Sequence, residues 1–500
     1  MTARPSSGLQ RRDYVELSLW LLTAAAARFA VVYLGDFDGY WGQDPWGYLD
    51  QALGLLSDST HPHLPRIAAT EAFWPQGYPA VIAAGIWLGL DPIVWGQLSA
   101  LLAGALTAPA LWLAAHHAEL SRTTTRVAAG LLALCPVHLL WSTCATSDVM
   151  AAAWLTLALL CLASPRGGCW SSGWAGVALG AALCTRLAAA PAVLGLALLS
   201  WRRGAKATLW TAIAGLVTTA PQLWLWSDTP ARMNHPWLQL WRPWNAWRSE
   251  FSHVDGLLRF DWPQGVFAWF SPAHPGYLGP IALVLALLGL RALWRERRGL
   301  ALGLGVWVFG YVLLLSGMPY QNFRFGLIAV APWALLAGVG VAQWHPRHPR
   351  WILAALVFTA ALQLTWAGRL VPQHLAVAHG RQKLVAHFTQ TLPAKARVYA
   401  FGLTADLAHR SHLDVRELAA LSPTALRSQW PPKKMTFVIY DHRNVERQWR
   451  PGGGGPVPAI DWLKRVARWY PVERVEGWRL WRIEDRAPAA RRPRGAQTGP

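Results

Sequence analysis

The stretch 35–50, GDFDGYWGQDPWGYLD, follows directly on the first long apolar run of the chain and gathers four aspartates and five aromatic residues. A charged side chain at bilayer depth is costly, so carboxylates clustered at the end of such a run either face water or bind a partner. We therefore expect the function of the chain to be organised around this acidic loop.

The composition indicates an integral membrane protein. Of the 500 residues, 53% are hydrophobic and only 14% are charged, which is too apolar for a soluble chain of this length. Many of the 33 tryptophans lie at the ends of apolar runs, where their rings suit the headgroup layer. The net charge of +20 comes from Lys and Arg in short loops and in the tail, so retention of cytoplasmic loops explains it better than nucleic-acid binding.

The cysteines argue against a disulfide-stabilised C-terminal part, and the N-terminus argues against a cleaved signal peptide. All five cysteines lie in the apolar part of the chain, so no disulfide framework is predicted in the polar C-terminal part, and no CxxC pair indicates a metal site. Residues 14–34 are long enough to span a bilayer and lack the short core and cleavage site of a signal peptide. They predict a first transmembrane helix with Arg11 and Arg12 on the cytoplasmic side.

The apolar runs predict about eleven transmembrane helices. They lie at 14–34, 93–117, 125–142, 148–164, 172–186, 187–201, 207–227, 276–294, 299–317, 324–343 and 351–371. The short runs on either side of Arg186 leave one long helix over 172–201 as an alternative. The segment 79–90 is interpreted as a helix in the outer interface, with a true span as the rival topology.

The basic loops orient these helices. The sets Arg122/Arg126, Arg166, Arg202/Arg203/Lys206, Arg291 to Arg298 and Arg347/Arg350 fall on one side, which is predicted to be cytoplasmic, as is the N-terminus. The first loop (35–92) and a long Trp-rich loop (228–275) then lie on the external face of a bacterial-type inner or plasma membrane. The long loop is also a candidate substrate-binding groove, or an amphipathic cover of the surface.

After about residue 372 the hydropathy falls and the pattern changes. Strand-like runs at 396–402, 435–441 and 478–484 alternate with helix-like stretches at 376–391, 415–427 and 458–469. We predict a polytopic helical domain over 1–372, a small extracytoplasmic α/β domain over 373–486, and a disordered basic tail over 487–500. Four consecutive glycines within 451–456 predict a flexible loop.

Several short elements, in their order along the chain, resemble the GT-C fold of glycosyltransferases. These are GQDPWGYLDQALGLL and WPQGYPAVIA in the first loop, SDVMAAAW, CTRLAAAP, and QNFRFGLIAVAP. The branch they resemble contains protein O-mannosyltransferases and the lipid A aminoarabinose transferase, and the resemblance covers about residues 14–343. The chain departs from the pattern where Asp44 is followed by Pro45 and where Gln76 replaces a second proline.

The resemblance implies an enzyme that transfers a sugar from a polyprenyl-phosphate carrier to an acceptor at the outer face, with inversion. Asp44 matches the position of the first-loop carboxylate, which acts as general base or orients the substrate; Asp36 and Asp38 are rivals for this role. The chemistry is consistent, because a phosphate leaves readily whereas the attacking hydroxyl must lose a proton and cations must hold the phosphate. The alternative interpretation of Asp44 is an N-cap of a helix over 45–56.

Three further charged residues are candidates on the same face. Asp148 follows Ser147 at the start of an apolar run and could be catalytic or a helix cap. Arg186 lies between two apolar runs on the external side, against the loop-charge rule, so it requires a partner such as phosphate or Asp148. Arg324 opens the run 324–343, and the resemblance implies that it contacts the carrier phosphate, the alternative being a snorkelling side chain.

The remaining candidates are for sugar or acceptor contacts. Tyr48, Trp74 and Tyr78 fit such a role or an interfacial aromatic belt, and Glu71 fits it or a solvated loop charge. No His, Cys, Asp and Glu spacing predicts a zinc site, and a divalent cation is left open as a cofactor. The sequence identifies neither the sugar nor the acceptor, which could be protein, lipid or glycan. A transporter or lipid flippase, and a non-catalytic envelope assembly protein, are the alternative functions.

Overall fold

A computed structural model describes residues 9–56, 74–163, 167–227, 239–253, 255–432 and 434–485. The chain forms two compact units. The first comprises Met1–Asp58, Ala72–Ser249 and Phe260–His379, and the second comprises Ser59–Glu71, Glu250–Arg259 and Gly380–Pro500, in both cases as far as these segments are described.

The first unit is helical in its described residues. Its helices are α1 (Arg11–Leu34), α2 (Asp44–Leu56), α3 (Gly77–Trp87), α4 (Pro92–His117), α5 (Arg122–Ala133), α6 (Pro136–Trp141), α7 (Ser147–Ala163), α8 (Cys169–Thr185), α9 (Ala190–Arg202), α10 (Ala205–Ser227), α11 (Gln264–Phe270), α12 (Pro280–Glu296), α13 (Arg298–Gly317), α14 (Leu327–Trp344) and the start of α15 (Pro349–Thr391).

Five segments of the described chain are long and apolar enough to cross a membrane. They are Arg11–Leu34, Pro92–His117, Arg298–Ser316, Phe323–Trp344 and Pro349–Thr391. The helices that the other apolar runs form are shorter or less apolar. The count of eleven transmembrane helices therefore stays a prediction.

Two of the predicted helices were wrong in extent, and proline explains one of them. The run 125–142 is divided into α5 and α6 at Pro136, where Cys135 takes the extended conformation that a following proline favours. The run 351–371 instead continues through Pro372 as part of the 43-residue helix α15, which takes in the separately predicted 376–391. The break in 172–201 is real, because Arg186 is extended (φ −158°) between α8 and α9.

Glycines let several helices of the first unit approach closely. A Cβ at Gly289 in α12 would lie 1.9 Å from the carbonyl oxygen of Leu336 in α14, and one at Gly340 would lie 2.0 Å from that of Leu285. Such distances leave no room for a methyl group. Small residues at helix contacts are expected in a membrane domain, where association depends on close packing.

The second unit is built around a five-stranded sheet. Its strands are β3 (Arg397–Phe401), β4 (Asp414–Glu417), β5 (Thr436–Asp441), β6 (Ala467–Val475) and β7 (Trp478–Asp485), and a separate hairpin is formed by β1 (Glu250–His253) and β2 (Gly256–Arg259). The sheet order is β4-β3-β5-β7-β6, with β3 parallel to β4 and β5, and β7 antiparallel to β5 and β6. The longer helices are the end of α15, α16 (Thr404–Arg410), α17 (Pro423–Ser428) and α18 (Val457–Val466), and short helical turns lie at 418–420 and 442–452.

The sequence predicted three of these five strands and missed two. The stretch 415–427, predicted as helix, contains β4, a 3-10 turn and the short α17. The stretch 458–469, also predicted as helix, ends its helical part at Val466 and continues as β6. The β1–β2 hairpin in the long loop was not predicted either. It packs on the segment after β5, where the Gln448 side chain donates to the carbonyl oxygen of Asp255 at 2.7 Å.

Apolar cores cover both faces of the sheet. On one face, Val438 and Ile483 pack against Ile460 and Leu463 of α18. On the other, Val398, Phe437 and Leu480 pack against the last turns of α15 and against α16, through Leu384, Val385, Phe388 and Leu407. The second unit is therefore a three-layer α/β structure with its own hydrophobic core.

An ion cluster joins β3 and β4 at the edge of this sheet. The Asp414 carboxylate accepts from Arg397 Nη2 at 2.9 Å, Lys434 Nζ at 3.2 Å and Arg416 Nε at 3.1 Å. Burial opposes ionisation, but the hydrogen bonds from Arg397 and Lys434, together with the charges of Arg397 and Arg416, lower the pKa of Asp414.

Candidate functional site

Four charged side chains from distant parts of the chain meet in the first unit. Asp44 begins α2 and Asp148 lies in the first turn of α7. Arg186 occupies the break between α8 and α9, and Arg324 lies in the 3-10 turn Phe323–Gly326 that precedes α14. All four were candidates from the sequence, and the structure brings them into one cluster.

Ion pairs link the four groups in a chain. Arg186 Nη1 lies 3.0 Å from Asp148 Oδ1, and Arg324 Nε lies 3.9 Å from Asp148 Oδ2. Arg324 Nη2 also pairs with Asp44 Oδ2. Two arginines and two aspartates give the cluster no net formal charge. The Asp148 side chain is only 1% exposed, whereas those of Arg186, Arg324 and Asp44 retain 17 to 20% exposure.

Aromatic rings hold the two guanidinium groups. The guanidinium carbons of Arg186 and Arg324 lie 5.2 Å and 5.3 Å from the centre of the Phe325 ring, and that of Arg324 also lies 5.5 Å from the centre of the Trp141 ring. Cation–π contacts of this kind strengthen when the groups are removed from water. Asn322 fixes the turn below them, because its side chain accepts from the Arg324 backbone N–H at 3.0 Å.

Tyr48 lies beside this cluster. Its hydroxyl is 2.8 Å from the Ser147 hydroxyl, which also accepts from Arg186 Nη1 at 3.4 Å. Burial, followed by the nearby Asp44 carboxylate, raises the pKa of Tyr48 well above its usual value. The phenol therefore stays protonated and acts as a hydrogen-bonding group at neutral pH.

The other aromatic candidates pack around Tyr48. The rings of Trp74 and Tyr78 each lie 5.2 Å from that of Tyr48. Tyr78 is fully buried, and its hydroxyl donates to the Gly96 carbonyl oxygen at 2.7 Å, which favours a packing role. Close packing explains why the WPQGYP element has glycine at position 77, since a Cβ there would lie 2.6 Å from the backbone of Cys184, two residues before Arg186 in the chain.

The acidic loop itself supplies one carboxylate to the cluster. The helix begins at Asp44, and the Gln43 carbonyl accepts the first helical hydrogen bond, from the Gly47 N–H. Asp44 is therefore not the N-cap, and its carboxylate is turned to Arg324. Asp38 accepts a hydrogen bond from the Tyr40 backbone N–H at 3.0 Å within its own loop. Glu71 lies outside the described residues.

Sequence reasoning missed three neighbours of the charged groups. Ser147 and Phe325 stand next to Asp148 and Arg324 in the chain and were visible within the quoted elements, but nothing marked Trp141. In the described part of the chain, no group of three or more His, Cys, Asp and Glu side chains is arranged to hold a metal. The two carboxylates of the cluster are paired with arginine instead.

Comparison with known proteins adds the fold. By sequence, the chain matches no family model and no curated protein. By structure, it is similar to ArnT from Cupriavidus metallidurans bound to undecaprenyl phosphate, with a TM-score of 0.62 and 14% identity over 95% of this chain and 98% of that one. The chain has the GT-C fold.

Two other structures with the GT-C fold agree with this. The Archaeoglobus fulgidus oligosaccharyltransferase in the apo form matches with a TM-score of 0.51 and 12% identity, over 92% of this chain and 73% of that one. The arabinofuranosyltransferase AftD from mycobacteria gives 0.52 and 16%, over 96% of this chain and 40% of that one. The fold expected from the five sequence elements is confirmed, and together with the apolar segments it makes the chain an integral membrane protein.

Proposed function

We propose that the protein is a membrane glycosyltransferase that moves a sugar from a polyprenyl-phosphate carrier to an acceptor hydroxyl at the outer face of the membrane. The observation that carries the proposal is the cluster of Asp44, Asp148, Arg186 and Arg324, four charged groups from four separate segments. The ArnT structure with bound undecaprenyl phosphate supports the choice of donor.

The two arginines suit the leaving group. A guanidinium binds a phosphate through two parallel N–H bonds and keeps its charge in a dry site. Arg186 and Arg324 share the Phe325 ring, so both can face one anion. They would hold the carrier phosphate as the bond between the anomeric carbon and the phosphate oxygen breaks.

Asp44 suits the proton acceptor. Its carboxylate pairs with Arg324 and retains 20% exposure, so both a substrate and a proton can reach it. A phosphate that binds Arg324 in place of Asp44 would free the Asp44 carboxylate to face the acceptor hydroxyl. The acceptor oxygen then bonds to the anomeric carbon, its proton passes to Asp44, and the carrier phosphate departs with both electrons of the broken bond. A single displacement inverts the anomeric centre.

Asp148 has a different part in this scheme. Because its side chain is 1% exposed and faces both arginines, it is poorly placed to receive a proton from substrate. It pairs with both guanidinium groups and so holds them at a fixed distance from each other, ready to bind the phosphate. Tyr48 is hydrogen-bonded to Ser147, the residue before Asp148, and so supports this part of the site. The Trp74 ring beside Tyr48 offers an aromatic contact for the sugar or acceptor.

The test gives purified protein a labelled prenyl-phosphate sugar and measures carrier release. Asp44→Asn should lower turnover at least about a hundredfold, the usual contribution of a general base. Asp91→Asn is the matched control, because Asp91 caps α4 by accepting from the Val94 N–H and asparagine caps a helix equally well. Arg324→Gln should instead weaken carrier binding about tenfold or more.

Two results would reject parts of the proposal. Turnover by Asp44→Asn equal to that of Asp91→Asn would remove Asp44 from the mechanism. Failure of the unmodified protein to release carrier from any of a panel of prenyl-phosphate sugars, with transport of the labelled lipid instead, would reject the reaction class.

A further inference from the structure

Two loops lead directly into the carboxylates of the site. Residues 35–43 connect α1 to Asp44, and residues 142–146 connect α6 to the first turn of α7 with Asp148. The loops are about a hundred positions apart in sequence. One backbone hydrogen bond joins them, from the Ala145 N–H to the Gly39 carbonyl oxygen at 3.0 Å.

A side chain from a third segment bonds to both loops. Gln97, in the second turn of α4, donates from Nε2 to the Phe37 carbonyl oxygen at 2.7 Å and to the Thr143 carbonyl oxygen at 3.1 Å. A primary amide carries two N–H donors on one nitrogen, so a single side chain satisfies both carbonyls. Of the common side chains of this length, glutamate lacks the donors and methionine lacks all polarity.

The loop that leads to Asp44 packs directly on the Gln97 side chain. Gln97 is 9% exposed. Gly39 has a φ of +79°, and a Cβ there would lie 2.7 Å from Gln97 Cγ, so the loop closes over the glutamine stem only because residue 39 is glycine. A buried amide with both donors used is costly to disturb, because each carbonyl would lose its partner.

We infer that Gln97 is a positioning residue of the active site, which fixes the spacing between the loop of Asp44 and the turn of Asp148. The inference rests on the proposed function. Both carboxylates contact Arg324, so any change in the spacing of the two loops changes the geometry of the phosphate-binding arginine as well. Gln97 touches none of the four charged groups in these contacts and acts through the two backbones.

The consequence is a specific kinetic signature. Displacement of catalytic groups by about 1 Å can lower a rate a hundredfold, while binding through remote parts of a substrate persists. Loss of the amide should therefore lower kcat more than it changes KM. A substitution that merely destabilised the protein would instead lower the amount of active enzyme, and would not loosen these two loops more than the rest of the chain.

The experiment compares Gln97→Met and Gln97→Glu with Thr107→Val in the purified full chain. Thr107 is buried in the same helix, and its hydroxyl bonds only within that helix, to the Ala103 carbonyl oxygen at 2.6 Å among the contacts of the described chain. Carrier release from a labelled prenyl-phosphate sugar gives kcat and KM. Hydrogen exchange followed by mass spectrometry reports the Ala145 N–H without reference to activity.

Both Gln97 variants should lower kcat about tenfold or more with KM within about twofold, and should speed exchange in 142–146. Thr107→Val should do neither. A kcat within twofold of that of Thr107→Val, or unchanged exchange at Ala145, would overturn the inference. If the unmodified protein releases no carrier, the proposed function fails, and the exchange measurement still decides whether Gln97 clamps the two loops.

Discussion

Replacing Asp148 by asparagine tests the charged cluster without assuming any reaction. The substitution preserves the size of the side chain and removes the charge that faces both arginines, at 3.0 Å from Arg186 and 3.9 Å from Arg324. Breaking a buried ion pair by neutralising one partner typically costs about 3 to 5 kcal/mol, because the other charge is left uncompensated. Asp148 is almost fully buried, but Arg186 retains 17% exposure and Arg324 keeps Asp44, so we expect the lower end, about 3 kcal/mol.

The assay is thermal unfolding of the purified protein. Domains of 150 to 250 residues lose about 2 to 4 °C for each kcal/mol, and the shift shrinks with size, so about 3 to 6 °C is expected here. The cycle Asp148→Asn, Arg186→Gln and the double variant isolates the pair. The double variant should be more stable than the sum of the two losses predicts, by at least about 1 kcal/mol. Additive losses within about 0.5 kcal/mol, or a single-variant shift no larger than that of Asp91→Asn, would refute the ion pair.

Three further predictions concern other parts of the molecule. The folded-state pKa of Asp414 is lowered, so the stability that its ionised carboxylate contributes is present above the unfolded pKa and is lost as the pH falls through the folded pKa. The difference in unfolding temperature between the unmodified protein and Asp414→Asn should therefore shrink from pH 7 to pH 3. Gly289→Ala should lower the unfolding temperature by the equivalent of about 1 to 3 kcal/mol, since its methyl group would meet a carbonyl oxygen of the facing helix; unchanged melting would contradict the close helix contact. Gly77→Ala should reduce both stability and carrier release, because it pushes on the backbone next to Arg186, and a loss confined to stability would separate this contact from the site.

The helices of the membrane part were largely predictable because apolar runs of spanning length are a local property of the sequence. The errors arose where context overrides local preference. Pro136 breaks a helix and Pro372 does not, although both remove a backbone donor. In the second unit, the strand Asp414–Glu417 is polar and only four residues long, so the sequence predicted a helix there. The strand forms because it pairs with β3 at the edge of the sheet, which the local sequence does not encode.

The site divides in the same way. Asp44, Asp148, Arg186 and Arg324 stood out one by one, because a charge next to an apolar run is costly wherever the chain later goes. Trp141 and Gln97 did not stand out, because an aromatic ring or a single amide in a helix has many ordinary uses.

The sequence by itself determined that this is a multi-helix membrane chain with a polar C-terminal α/β part and a few expensive charges at the ends of apolar segments. Hydropathy, charge and proline act over a few residues and can be read locally. Only the tertiary structure decided that charges at positions 44, 148, 186 and 324 pair with one another around the Phe325 ring, and that Gln97 joins two of the loops that carry them. These contacts span tens to hundreds of residues, so they depend on how helices pack, and no local pattern encodes that packing.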